Sequence, residues 1–337
     1  MDLQTFWLIL IAVLFIGYFF LEGFDFGVGI LMPFVSKDEV DRRITLNTIG
    51  PFWDANEVWL ITAGGAMFAA FPHWYATLFS GFYLPLLLIL LALIVRAVGF
   101  EFRSKMKEQW WRKTADYFIF WGSALPAFLW GVALTNIVMG LPIGDDMNFI
   151  GSLGLLLNPF AILGGLASLV MFTLHGAIFL SLRTTDELKD RVERVAKIMW
   201  VPAGVVLLSF ALLGYRHTIL FEELGLIPGT LPMITIGAFV AVIVFMQINR
   251  FGWAFAATGT TIIFGTTVVF QGMFPVVMPS TISTDFHLTV YNASSSDLTL
   301  TIMSFVAILF LPIILSYQGW SYWVFRERVT RDAIPRS

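Results

Sequence analysis

Long apolar runs separated by short polar segments repeat from one end of the chain to the other. Each run is roughly 18–25 residues long, and a helix of that length crosses a hydrocarbon core of about 30 Å. Strands of a membrane barrel would instead alternate apolar and polar positions over about ten residues. The pattern therefore predicts an all-α integral membrane fold with about nine transmembrane helices, at residues 5–32, 52–72, 76–100, 115–140, 158–182, 197–215, 231–249, 253–278 and 298–325.

Helix caps and one polar interruption organise these runs. Asn158 stands before Pro159, which places a capping amide ahead of a proline at the first helical position. Ser295, Ser296 and Asp297 precede the ninth run and also indicate a helix start. The segment 141–157 separates the first four runs from the next four. We expect one polytopic domain over 1–337, with helix blocks at 1–140 and 155–280 and a ninth helix at 297–325.

Composition agrees with this picture. Hydrophobic residues make up 58% of the chain and charged residues only 13%, which excludes an ordinary soluble enzyme. We expect a surrounding of membrane lipid and no nucleic-acid partner. Because the chain contains no cysteine, it cannot form a disulfide framework, a thiolate metal site or an iron–sulfur cluster.

Basic residues show which way the chain threads the membrane. Nearly all of the 20 lysines and arginines follow the first, third, fifth and seventh runs or lie in the C-terminal tail. The exceptions are Arg216, on the opposite side, and Arg96, inside the third run. The positive-inside rule therefore predicts an N-terminus outside and a C-terminus in the cytoplasm, which requires an odd number of spans.

Charged residues inside the runs are the candidate site. A carboxylate within a span costs about 2.5–3.5 kcal/mol on insertion scales, so it usually has a function. Glu22 and Asp25 lie near the inner end of the first run, and Arg96 near the inner end of the third. Asp54 and Glu57 occupy the first two turns of the second run and share a face. The predicted sidedness brings all five to the same depth.

Two interpretations of this cluster stay open. In the structural one, Arg96 pairs with Asp25 or Asp54 and holds the helices together, because an unpaired buried charge is far costlier than a paired one. In the functional one, Asp54, Asp25, Glu57 and Arg96 belong to a proton path or an ion site. The acids outnumber the single arginine, which favours the proton path.

Histidines argue against a haem held by this chain. A bis-histidine haem in the bilayer needs two facing imidazoles at one depth. Only His175 lies well inside a predicted helix, so we expect it to be a hydrogen-bonded packing residue. Any haem ligands should come from another polypeptide. Trp53 and Trp59 lie beside the acids, where they either pack or line a route for a small apolar molecule.

Ordered motifs along nearly the whole chain resemble subunit II of the cytochrome bd-type quinol oxidases. They are GFDFGVG at 23–29, WDANEVWLITAGGA at 53–66, SGFY at 80–83, GFEFR at 99–103 with Arg96 before it, LNPF at 157–160 and the segment 278–300. The resemblance implies a membrane subunit of two four-helix bundles plus one extra helix. It also implies a respiratory complex in a bacterial or archaeal cytoplasmic membrane that oxidises quinol and reduces dioxygen to water.

The same resemblance implies partners and residue roles. A subunit I would carry haem b and haem d, this chain would ligate none, and a structural quinone or a small accessory subunit is compatible with the family. Asp54, with Asp25 and Arg96, matches residues associated with proton delivery from the cytoplasm, and Trp59 matches a position near a proposed dioxygen entrance. Glu57 occupies a position where some relatives have an amide side chain, so it adds a titratable group to the path.

Two other functions remain as alternatives. The acids could form the site of a proton- or cation-coupled secondary transporter, although such carriers usually have helices broken near the midplane. The chain could also be a purely structural membrane scaffold for a catalytic subunit. Copurification with a haem-bearing partner separates the oxidase subunit from the transporter, and substitution of Asp54 separates it from the scaffold.

Overall fold

The computed structural model describes residues 1–106, 108–218 and 229–334. Within them, β1 (Val276–Met278) and β2 (Leu288–Thr289) form a small antiparallel ribbon beside twelve helices. The helices are α1 (Leu3–Val35), α2 (Glu39–Asn47), α3 (Trp53–Ala70), α4 (Pro72–Gly81), α5 (Tyr83–Phe102), α6 (Gln109–Met139), α7 (Leu153–Leu156), α8 (Pro159–Arg183), α9 (Asp186–His217), α10 (Thr230–Gln247), α11 (Phe251–Met273) and α12 (Asp297–Val324).

Eight of these helices are long and apolar enough to cross a membrane: α1, α5, α6 and α8 to α12. The predicted all-α integral membrane fold is therefore confirmed. Helix α3 has 18 residues but is not among the eight, because the acids of its first turns lower its hydropathy. The ninth span, the two-block division and the outside N-terminus stay predictions. Most of the polar segment between the sixth and seventh predicted spans falls at 219–228, outside the described residues.

Two predicted boundaries are wrong. The run taken as 76–100 is interrupted, because α4 ends at Gly81 and a new helix begins at Tyr83. Helix α9 begins at Asp186 rather than near 197, since acidic residues in its first turn suit a helix N-terminus and extend it beyond the apolar run. The predicted caps are confirmed: Asn158 accepts from Ala161 N at 2.8 Å and Ser296 from Thr299 N at 3.3 Å.

Helix α1 lies at the centre of the packing and contacts α3, α6, α8 and α11. Its approach to α8 depends on glycines. A Cβ at Gly27 would lie 2.1 Å from the backbone oxygen of Phe172, and one at Gly176 would lie 2.5 Å from Gly27. No larger residue fits this crossing, which places the acid-bearing turn of α1 deep in the molecule. Helix α12, in contrast, is exposed over most of its length and half-buried along the rest.

Ion pairs tie the predicted cytoplasmic ends together. Arg103 pairs with Glu39 and Asp116, and Arg331 of the C-terminal tail pairs with Asp38. Partial burial acts to raise the pKa of Glu39, but the hydrogen bonds from Arg103 and the charges of Arg103, Arg112 and Arg42 together outweigh it, so the pKa is lowered. The pKa of Asp38 is lowered by the N–H of Asp41 and by Arg331.

Candidate functional site

Arg96 lies at the centre of a buried ionic cluster made by α1, α3 and α5. Its side chain has no exposed surface, and its Nη2 donates to Glu22 and, at 2.6 Å, to Glu57. The guanidinium carbon lies 4.8 Å from the centre of the Phe26 ring. A Cβ on Gly122 of α6 would come within 2.5 Å of Arg96 Cβ, so this glycine allows α6 to pack beside the arginine.

The pairing of Arg96 corrects the sequence-based expectation. Neither Asp25 nor Asp54 is its partner; Glu22 and Glu57 are. Glu22 lies one turn before Asp25 on the same face of α1, and Glu57 one turn after Asp54 on α3. The sequence therefore predicted correctly that the three helices bring charged residues together. Which acid contacts the arginine depends on the rotation of each helix about its axis.

Asp25 is fully buried and has an amide, not a cation, as its hydrogen-bonding partner. Asn56 Nδ2 donates to Asp25 Oδ2 at 2.7 Å, and Asp25 Oδ1 has no hydrogen-bonding partner among residues 1–106, 108–218 and 229–334. Asn56 Oδ1 in turn accepts from the Tyr322 hydroxyl at 2.8 Å and from Gln318 Nε2 at 3.3 Å. These bonds connect the buried carboxyl of α1 with α3 and with the peripheral helix α12.

Asp54 lies outside this buried group. It is exposed on the first turn of α3, and its Oδ1 accepts from the N–H of Ala55 at 2.8 Å. The structure therefore brings Glu22, Glu57 and Arg96 into direct contact and leaves Asp54 at the surface. The acids form a series from exposed Asp54 through Glu57, whose side chain is 20% exposed, to buried Glu22.

Trp59 and Trp53 are both held by neighbours. Trp59 Nε1 donates to Gln318 Oε1 at 2.9 Å, and its ring occupies the space beside Gly17, where a Cβ would lie 2.3 Å from it. Trp53 stacks on Phe100 with ring centres 5.1 Å apart. Packing thus accounts for the positions of both indoles.

Sequence reasoning missed the polar groups Asn56, Gln318 and Tyr322. A signal was present: Gln318 and Tyr322 are spaced i, i+4 on an otherwise apolar helix, which places them on one face. Asn56 is a polar residue between two acids of α3 and was overlooked beside them.

His175 has the environment of a packing residue. It is fully buried and lies parallel to Phe255, with ring centres 4.6 Å apart. Its Nε2 lies 3.2 Å from the carbonyl oxygen of Phe20, which can only accept, so Nε2 carries the proton. Its Nδ1 then accepts from the Thr258 hydroxyl at 2.7 Å. With both nitrogens engaged, His175 does not fit the role of an axial haem ligand.

Metal-ligand geometry is also lacking elsewhere in the described part of the chain. Over these residues, no group of three or more His, Cys, Asp or Glu side chains is arranged to hold a metal ion. The cluster around Arg96 consists of acids and one cation, which suits proton or ion exchange better than metal binding.

Known proteins resemble this chain over nearly its full length. The family model "Cytochrome bd terminal oxidase subunit II" matches residues 3–325. Cytochrome bd ubiquinol oxidase subunit 2 of Bacillus subtilis is 44% identical over 329 residues, covering 98% of this chain and 97% of the relative. Cytochrome bd-I ubiquinol oxidase subunit 2 of Escherichia coli K12 is 36% identical over 378 residues, covering 99% and 97%.

A solved structure has the same fold. The bd oxidase from Geobacillus thermodenitrificans contains a chain that superposes with a TM-score of 0.78, covering 96% of this chain and 99% of that one. The two are 17% identical in sequence, so this likeness concerns the arrangement of helices alone.

Proposed function

We propose that this chain, which belongs to the cytochrome bd terminal oxidase subunit II family, takes up protons for dioxygen reduction through its buried acids. Its relatives are subunits of quinol oxidases, so the chain is one subunit of a terminal oxidase complex and works beside a subunit I. It is a multi-pass protein of the bacterial cytoplasmic membrane. Family membership favours this function over the secondary transporter.

The chemistry creates the need for a proton route. Reduction of one dioxygen to two waters consumes four electrons and four protons. Moving one charge across the membrane stores about 2.3 kcal/mol per 100 mV, so protons drawn from the cytoplasm conserve energy. Protons cross the apolar interior only along carboxyl groups and ordered water.

One observation carries the assignment. The side chains of Glu22 and Asp25 are both buried, yet the one guanidinium of this cluster, that of Arg96, is shared by Glu22 and Glu57. Within the described part of the chain, Asn56 is the only side chain that hydrogen-bonds to the Asp25 carboxyl group. A buried carboxyl group that has no cation beside it is suited to exchanging a proton. A purely structural ion pair between Arg96 and an acid would give Asp25 no role. Asp54 is the exposed entry to the series of acids that continues through Glu57 to Glu22. Arg96 stabilises the negative charge of Glu22 and Glu57.

Substitution of Asp54 tests the route and separates it from a purely structural scaffold. In the assembled oxidase, Asp54→Asn is expected to lower quinol oxidase turnover about tenfold or more, because it removes the entry carboxyl. The haem absorption spectrum should stay unchanged. Asp190→Asn is the matched control, since Asp190 is an exposed acid of α9 outside the cluster. Normal turnover and charge movement in Asp54→Asn would show that Asp54 is not the entry.

We propose further that haem b and haem d of the complex belong to subunit I. The engaged state of His175 supports this, because neither ring nitrogen is available to iron. His175→Gln in the assembled oxidase should therefore leave every haem absorption band in place. Loss of one band would make His175 a haem residue.

We also propose a docking face for subunit I on α3, defined by Val58, Ile61, Gly65 and Phe68. These residues recur at spacings of three and four, so they form one stripe, and all four are exposed. Asp54, one turn before Val58, lies outside this face and stays the proton entry. A Cβ at Gly65 would meet nothing within 4 Å, so a partner helix can approach closely there.

Trp59 is proposed to border a dioxygen route at the junction of α3 and α12. Its hydrogen bond to Gln318 of α12 supports this position. Trp59→Ala is expected to widen the route and lower KM for dioxygen, with turnover at saturating dioxygen unchanged. An unchanged KM would leave Trp59 with a packing role only.

A further inference from the structure

A second polar feature lies apart from the acid cluster. A cleft of about 290 Å³ opens where the end of α8, the first turns of α9, the α10–α11 turn and the C-terminal tail meet. The acid cluster is formed by α1, α3 and α5, so the two sites have no helix in common. All four segments of the cleft lie on the side that the basic residues assign to the cytoplasm.

Cations from three separate segments line this cleft. They are Lys189 of α9, Arg250 between α10 and α11, and Arg328 of the tail; Glu193 is the one acid among the lining residues. Lys189 Nζ lies 3.5 Å from Glu193 Oε1, and Arg328 Nη1 donates to the Thr184 carbonyl oxygen at 3.2 Å. One of the three cations is thus offset by an acid, and the cleft keeps an excess of positive charge.

Helix α11 adds to this positive potential. It starts at Phe251 on the wall of the cleft, and its N-cap residue Arg250 makes no side-chain cap. The first-turn N–H groups and the positive end of the helix dipole therefore face the same region as the cations. At Gly252 a Cβ would meet nothing within 4 Å, so the backbone is open to a ligand.

Apolar surface continues directly from the cleft. Trp253, in the first turn of α11, is 63% exposed, and an exposed indole at a helix end is typical of the lipid headgroup level. Ile248, just before the α10–α11 turn, is 59% exposed. An amphipathic anion could therefore place its charged group in the cleft and its apolar part against these side chains.

We propose that this cleft binds the phosphate group of an anionic phospholipid of the cytoplasmic leaflet. The phosphate accepts hydrogen bonds from Arg250, Lys189 and the first turn of α11, and the acyl chains lie along the exposed apolar surface beside Trp253. The site is separate from the proton route and does not depend on it. A free phosphate ion would use the cations but not the apolar surface.

Lipid retention by the intact oxidase complex tests this site. The complex is purified in detergent, and binding of phosphatidylglycerol, phosphatidylcholine and inorganic phosphate is measured by native mass spectrometry. The double variant Lys189→Gln/Arg250→Gln removes two cations of the cleft. Lys113→Gln/Arg194→Gln is the matched control, because it removes one exposed lysine and one exposed arginine from the same side outside the cleft.

The wild-type and control complexes should bind phosphatidylglycerol more tightly than phosphatidylcholine. Binding to the cleft variant should weaken about tenfold, since each basic residue near an anionic surface contributes about a fivefold affinity and Lys189 is already partly offset. Inorganic phosphate should not displace the lipid. Equal phosphatidylglycerol binding by the cleft variant and the control would overturn the assignment. Displacement by inorganic phosphate alone would make the site one for free anions and would also overturn it.

Discussion

At the residue scale, the main feature of the site is that its buried charged groups have few hydrogen-bonding and ion-pair partners. Arg96 is shared by Glu22 and Glu57, and Asp25 depends on Asn56. Removing one partner of a buried polar group costs more than the bond itself, because the remaining group stays desolvated. Asn56 is therefore more important to the site than its uncharged side chain suggests.

Asn56→Leu tests this dependence. It removes the hydrogen bond to Asp25 and leaves the Tyr322 hydroxyl without its acceptor, so we expect a loss of about 2–3 kcal/mol in stability and a lower turnover. Asn136→Leu is the control: Asn136 is also buried and hydrogen-bonded, to the backbone oxygens of Val132 and Leu156 and to Asn158, but it lies outside the acid cluster. Thermal unfolding and turnover of both complexes provide the comparison. Equal turnover in the two variants would contradict a special role for Asn56.

Sequence reasoning could place the acids at one depth but could not pair them. Depth follows from span order and from the distribution of basic residues, both of which are legible in the chain. Pairing depends on the rotation of each helix about its axis, and α1 is apolar on nearly every face. The choice of Glu22 over Asp25 as the partner of Arg96 was therefore outside the reach of the pattern.

At the element scale, glycines and ion pairs hold the helices in position. The crossing of α1 and α8 at Gly27 and Gly176 brings two backbones together, which positions the acid-bearing turn of α1. Ion pairs between α2, the end of α5 and the tail then close the predicted cytoplasmic end.

Gly27→Ala should disrupt the α1–α8 crossing. The added methyl group would overlap the backbone oxygen of Phe172, so we expect a loss of about 3 kcal/mol or failure of the complex to accumulate. Gly237→Ala on α10 is the control, because a Cβ there meets nothing within 4 Å. Complex yield and thermal stability measure the difference; a Gly27→Ala complex as stable as the control would contradict the packing account.

The ionic contacts at the end of α5 and in the tail predict a pH dependence. The pKa values of Asp38 and Glu39 are lowered in the folded protein, so their contribution is complete above the unfolded values near pH 4. It is lost as the pH falls through the lower folded values. The melting temperature should therefore be constant between about pH 7 and 5 and decline below about pH 4. Asp38→Asn/Glu39→Gln should reduce that decline, and an equal decline in both proteins would exclude these two acids as its source.

Sequence patterns predicted most helices, but they gave a weaker signal for α3 and missed the break between α4 and α5. Eight helices are apolar enough to be recognised individually, whereas α3 carries acids in its first turns and an exposed stripe along one face. The break at Phe82 between α4 and α5 is marked only by Gly81 at the end of α4 and Pro85 in the first turn of α5, within an otherwise continuous apolar run. Such features depend on contacts with other chains or on local backbone geometry.

At the scale of the whole molecule, the chain is one part of a complex. Helix α12 is hydrogen-bonded near both of its ends: Trp7 Nε1 donates to the carbonyl oxygen of Leu300, and the Tyr322 hydroxyl donates to Asn56. Its remaining surface and the exposed face of α3 are available to subunit I. In the arrangement that we propose, subunit I covers this surface and receives protons from the adjacent acids.

Gly65→Leu tests the α3 docking face. The added side chain would occupy the space beside Gly65 where we propose that a helix of subunit I packs. We therefore expect little subunit I to copurify with the variant. Gly237→Leu offers the same change on α10, where the glycine is also exposed and outside the proposed face. If Gly65→Leu copurifies with subunit I as efficiently as Gly237→Leu does, the docking face lies elsewhere.

Proton uptake by the assembled oxidase tests the central claim most directly. The reduced complex is mixed with dioxygen in the presence of a pH-sensitive dye, and the uptake rate of Asp25→Asn is compared with that of wild type and Asp190→Asn. Asp25 is the buried acid without a cation, so its loss should slow uptake about tenfold or more, while Asp190→Asn behaves as wild type. An uptake rate in Asp25→Asn equal to the wild-type rate would contradict a proton route through this cluster.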